Sequence, residues 1–155
     1  MMRTIMRGAL AGAAGTTVLN AATYVDMAIR GRPASGTPER TVEVLAGKAR
    51  LTVPGSGPRR DARLTGLGAL NGIVVGTGVG ILAAGLTRAG VRPPRWAGSI
   101  AVAALAMAAS DVPMARLGVS DPRSWSATDW ISDALPHLAY GLAVYAAVSD
   151  VPEQS

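Results

Sequence analysis

Asp129, Asp133 and His137 stand four residues apart in the segment SATDWISDALPHLAYG, and His137 is the only histidine in the chain. On a helix that spacing places all three on one stripe, one turn apart. Two carboxyl groups and an imidazole on one line have the chemistry to pass a proton, hold an ion or bind a ligand. The plainer alternative is a structural hydrogen bond between Asp133 and His137. A metal site is not expected, because the chain offers no second histidine and no cysteine. Asp129 reads as a first-turn acid favoured by the helix dipole. Asp111, two residues before Pro113, and Asn20 lie in other apolar runs. Together Asn20, Asp111, Asp133 and His137 form the candidate polar cluster.

Those groups are set in apolar surroundings. The chain has 155 residues, of which 49% are hydrophobic and only 16% charged. A soluble domain carries about 25% charged residues. The absence of cysteine excludes disulfides, thiolate catalysis and Cys-based metal sites. One lysine, Lys48, against fourteen arginines suggests a GC-rich bacterial source. A net charge of +5 fits either nucleic acid or anionic lipid. The arginines fall in connections between apolar runs, which points to lipid headgroups and away from nucleic acid.

Four runs approach the ~20 residues that a membrane-crossing helix needs. They cover about 8–29, 66–86, 96–117 and 129–148, with the third required to continue past Pro113. The expectation is an all-α, single-domain membrane protein: a four-transmembrane-helix bundle in a bacterial inner membrane. Run one also has the basic start of a signal peptide, but Asn20 and Asp26 and the lack of a Leu-rich centre favour a retained span.

The connections carry their own signals. Gly31 can take the left-handed position that ends run one, with Pro33 beyond it. Thr37 as N-cap, Pro38 as N1 and the apolar face Val42, Leu45, Ala46 and Ala49 predict a short amphipathic helix over about 38–50. The segment VPGSGPRRDAR reads as a flexible basic linker. Ser126 and Asp129 have the spacing of a capping box, with Thr128 the other candidate N-cap. The tail SDVPEQS is polar and expected to fray. Five basic residues fall on the side of the N-terminus and second connection, and ten in the first and third connections. The richer side, holding those two connections, is expected in the cytoplasm. Trp96, Trp125, Trp130 and Tyr145 fall near span ends, where aromatic residues favour the headgroup level.

Gly68, Gly72, Gly76 and Gly80 repeat at four-residue spacing in run two. Such a stripe lets another backbone approach closely. Run one offers the matching line Gly8, Gly12, Thr16, Asn20 and Tyr24, so packing within one chain is expected. A homo-oligomer, or another membrane protein seated on this stripe, is the alternative. Most polar residues of the runs, with Pro113 and Pro136, gather toward one half of the bundle. Each proline leaves a carbonyl of the preceding turn without its helical donor.

No P-loop, GxSxG or HExxH occurs, and GTGVGILAAG lies mid-run, where a dinucleotide loop has no place. No cofactor is expected and no enzyme activity. The segment SDVPMARLGVSDPRSWSATDWISDALPHLAYG resembles the closing segment of the YagU-like family of small bacterial inner-membrane proteins. Pro113, Gly118, Pro122, Trp130, Asp133 and His137 carry the resemblance, over about a quarter of the chain. It implies a polytopic membrane protein and assigns no activity. Two functions remain expected: a non-enzymatic assembly or structural component of the membrane, or a small transport or proton-linked protein using the Asp–His cluster.

Overall fold

The computed structural model describes residues 1–149; the polar tail read at 150–155 lies outside the described residues. Every regular element among them is helical. Helix α1 spans Met2–Arg30, α2 Thr37–Lys48, α3 Gly57–Arg88, α4 Arg95–Arg116 and α5 Ala127–Ser149, with one 3-10 turn at Pro122–Ser124. Two helices, α3 and α4, are long and apolar enough to cross a membrane, with mean hydropathies of 1.8 and 1.4 over their most apolar stretch. Helices α1 and α5 do not meet that measure. Both carry polar residues within the run, among them Thr16, Asn20 and Asp26 in α1 and Asp133 and His137 in α5.

The long helices run alternately up and down. Gly8 of α1 lies beside Gly80 and Ile81 of α3, and Gly12 beside Gly76 and Thr77. Arg7 of α1 bonds the Ala147 carbonyl of α5, and Arg30 reaches Ser132, so those two helices are also antiparallel. Gly141 of α5 meets Ser99 and Ala103 of α4. Helix α1 thus packs against both α3 and α5, while α4 packs mainly against α5.

Where they meet, helices touch through missing side chains. A Cβ added at Gly80 would fall 2.6 Å from the Gly12 Cα, and one at Gly8 2.7 Å from the Gly80 carbonyl oxygen. No side chain fits there, so the backbones are in direct contact. Gly15 leaves room for Tyr140, whose ring is 1% exposed. The Tyr140 hydroxyl donates to the Gly76 carbonyl at 2.5 Å and ties α5 to α3. Val144, fully buried, sits beside it. Tyr145 lies over Gly98 and donates to the Pro93 carbonyl at 2.7 Å. Its ring is therefore inside the bundle, not at an outer headgroup face as its place in the run suggests.

Several boundaries differ from expectation. Helix α1 begins at Met2, because nothing in MRTIMR interrupts a helix. It ends at Gly31, where φ is +63°. Helix α3 begins at Gly57, so half of the expected flexible linker is helical. Ser56 is extended, Pro58 sits in the first turn where its missing N–H costs nothing, and Arg63 bonds back to the Pro54 carbonyl at 2.7 Å. Helix α2 is capped by Gly36, and Thr37 is its first helical residue. The face of α2 turned toward α3 carries Pro38, Glu39 and buried Thr41. Leu45, on the apolar face, is 43% exposed. The pairs Thr65–Glu39 and Arg60–Glu43 fix that rotation.

Candidate functional site

The polar residues of the long helices do collect at one end, where α1 and α4 finish and α5 begins. Local structure there is set by caps and prolines. Ser126 and Asp129 form a reciprocal capping box: the Ser126 amide donates to Asp129 Oδ2 at 2.9 Å, and the Asp129 amide to Ser126 Oγ at 3.2 Å. Asp129 is thereby occupied at the helix start and exposed, apart from the rest of its stripe. Trp125 and Trp130 meet edge to face with centroids 5.0 Å apart, and the Trp125 indole donates to Ser120 Oγ. Both prolines lie inside helices that continue through them.

One turn deeper, Asp133 and His137 share the face of α5 turned to α4. His137 Nδ1 lies 2.8 Å from the Asp133 backbone carbonyl and 3.5 Å from Asp133 Oδ1. A carbonyl only accepts, so the contact places a proton on Nδ1. The His137 side chain is 12% exposed and that of Asp133 24%. Across the helix interface stands Asp111 of α4, a close electrostatic neighbour of Asp133 and His137. Ser110, beside Asp111, donates to the carbonyls of Ala106 and Met107. Asp133 Oδ2 is buried without a hydrogen-bond partner.

The other sequence candidates are placed elsewhere. Asn20 is exposed on α1 and takes no part in the cluster, as does Asn71 on α3. Beyond Thr16 and Gly76 the two helices part, and Gly72 has nothing within 4 Å. Of the glycine stripe, Gly76 and Gly80 meet α1 and Gly68 meets Pro38 of α2. Among the described residues Asp111 has no arginine ion-pair partner, while Asp26 pairs with Arg30 at 3.4 Å and Arg32 at 2.5 Å. A groove of about 280 Å³ runs between α1 and α5 near Asp26, Ser132 and Pro136, and His137 does not line it. Among the described residues no group of three metal-ligating side chains is gathered.

Sequence reading missed Gly15, Gly98 and Gly141, which seat Tyr140, Tyr145 and α4. Each lies one turn or less from a small residue on its own helix (Gly12, Ser99 and Ala139 or Ala143), and that spacing was the available signal. No family model, no curated protein and no solved structure matches this chain.

Proposed function

We propose that this chain is a four-span inner-membrane protein whose Asp111–Asp133–His137 chain exchanges protons. The membrane reading is supported by a belt of outward apolar side chains on all four long helices. Leu10 is 70% exposed, Val74 68%, Ile100 51% and Leu142 59%. Exposed apolar surface on that scale marks a molecule whose solvent is lipid. Helices α1 and α5 cross despite their polar residues, because Thr16, Asp133 and His137 turn inward. The first and third connections face the cytoplasm, following the arginine excess. A single cysteine at Ser56 or Ala89 tests this in intact cells: Ala89→Cys is expected to label from outside. Labelling at Ser56→Cys alone would reverse the orientation.

The single observation that carries the proton reading is the carboxyl pair across the α4–α5 interface with an imidazole one turn away. The charged groups within reach of His137 are Asp133 on its own helix and Asp111 on α4. Two neighbouring carboxyl groups and an imidazole supply the donor and acceptor sites between which a proton can pass. The resemblance to the YagU-like family concerns this same end of the chain. A homodimer through the run-two stripe has less support, since Gly76 and Gly80 are covered within the chain. Reconstituted protein in vesicles loaded with a pH-sensitive dye is expected to admit protons when a potential is imposed. Asp133→Asn and His137→Gln each abolish the flux while the protein keeps its melting temperature. Flux equal to that of empty vesicles, or unaltered by both substitutions, sinks the proposal.

A further inference from the structure

At the opposite end of the bundle, an open groove of about 450 Å³ lies between the first turns of α1 and the last turn of α5. Met6, Leu10, Ala14 and Ala147 line it, and Arg3 and Arg7 stand at its mouth. Its lining is apolar, with Met6 and Leu10 58% and 70% exposed. Arg7 is held in place: its Nε donates to the Ala147 carbonyl at 3.0 Å and its Nη2 to the same oxygen. One guanidinium nitrogen of Arg7 remains unused by this contact. Arg3, one turn earlier on α1, has no hydrogen-bond or ion-pair partner among the described residues. The groove therefore joins an alkyl-lined slot to two cations, and one of them is fixed in direction.

We infer that this groove binds an anionic phospholipid, with its phosphate between Arg3 and Arg7 and an acyl chain along Met6, Leu10 and Ala14. The occupant follows from charge complementarity. An apolar slot alone accepts any lipid tail, whereas two guanidinium groups at its mouth select a negative headgroup. The first turn of α1 adds the positive end of its dipole at the same place. The inference rests on the membrane reading above, which places this groove at headgroup level.

The full chain in a neutral detergent is titrated with phosphatidylglycerol, phosphatidylcholine or glycerol phosphate while its melting temperature is followed. Phosphatidylglycerol is expected to raise it several degrees more than phosphatidylcholine, and glycerol phosphate not at all. Arg3→Gln, which breaks no contact of the fold, halves that difference or more. Leu10→Trp, which fills the slot and keeps the charge, does the same. Equal shifts for the two lipids, or a difference that both variants leave intact, overturn the proposal. An effect of glycerol phosphate equal to that of the lipid makes this a plain anion site and overturns it too. A lipid shift that tracks a change in oligomer size gives the groove to a second copy. Sedimentation of the chain with the membrane fraction is scored separately: its absence refutes the membrane reading, whereas its presence without lipid selectivity refutes the groove alone.

Discussion

The bundle end around Gly12, Gly76 and Tyr140 and the end around Asp111, Asp133 and His137 hold their helices together by opposite means. At the first, side chains are removed until backbones touch, and the polar groups in the contact, the hydroxyls of Tyr140 and Thr16, are spent on the carbonyls of Gly76 and Gly12. At the second, side chains with strong hydrogen-bonding needs face each other across α4 and α5, and one carboxyl oxygen, Asp133 Oδ2, stays unpaired. Packing of the first kind has a single arrangement, since moving either backbone opens a void or a clash. A polar cluster with an unpaired oxygen has more than one protonation state, and each favours different contacts. The difference separates a region whose packing fixes the fold from the region on which the proton-exchange proposal rests.

The strongest way to break this comparison is to put a side chain into the glycine contact. A Cβ at Gly76 would press on Thr16 Oγ of α1, with Tyr140 behind it at 3.5 Å. Gly76→Leu is expected to cost about 3 kcal/mol or more, the upper range for overpacking a tight core. Gly72→Leu, one turn along the same stripe, faces open space and is expected to leave stability within about 0.5 kcal/mol. Thermal melts of the two variants in the same detergent decide it. Equal losses would show that the stripe matters through glycine's backbone freedom alone, and the contact with α1 would explain nothing.

How much of this was legible in the sequence divides along the same line. The end of α1 and the start of α5 could be read, because Gly31 and the Ser126–Asp129 pair are local signals that act within four residues, whereas the starts of α1, α2 and α3 could not. Alternation of apolar runs with Gly- and Pro-bearing connections predicts the all-helical architecture. The partners of each face could not be read. Four-residue glycine spacing on α3 says that some backbone comes close, but not that α1 meets Gly76 and Gly80, that α2 meets Gly68 and that Gly72 between them is left open. That arrangement leaves Asn20 and Gly72 outside, although both continue a sound stripe. The rotation of α2 could not be read for a related reason. Its apolar positions name Leu45, while the two polar contacts Thr65–Glu39 and Arg60–Glu43 turn it another way. Asp111 and Asp133 are 22 positions apart, and their pairing follows from the antiparallel register of α4 and α5, itself set by Gly98 under Tyr145 and Gly141 under Ser99.

A smaller effect sharpens the comparison from the polar side. Ser126 caps α5 through its hydroxyl and its amide, both engaged with Asp129. Ser126→Ala keeps the amide bond but removes the hydroxyl that receives the Asp129 N–H. A lost N-cap typically costs about 1 kcal/mol. Here the loss stays local, because the first turn of α5 is exposed and the glycine contact that fixes the fold begins beyond Pro136. The expected result is a melting temperature close to that of the parent, together with faster amide exchange in the first turn of α5 and a shifted tryptophan emission. Trp125 and Trp130 flank the cap and report on it directly. If instead the whole chain melts earlier by as much as with Gly76→Leu, the two ends are not separable. The capped start of α5 would then hold the fold as firmly as the backbone contact between Gly12 and Gly76, and the polar end would have no freedom with which to answer a change in pH.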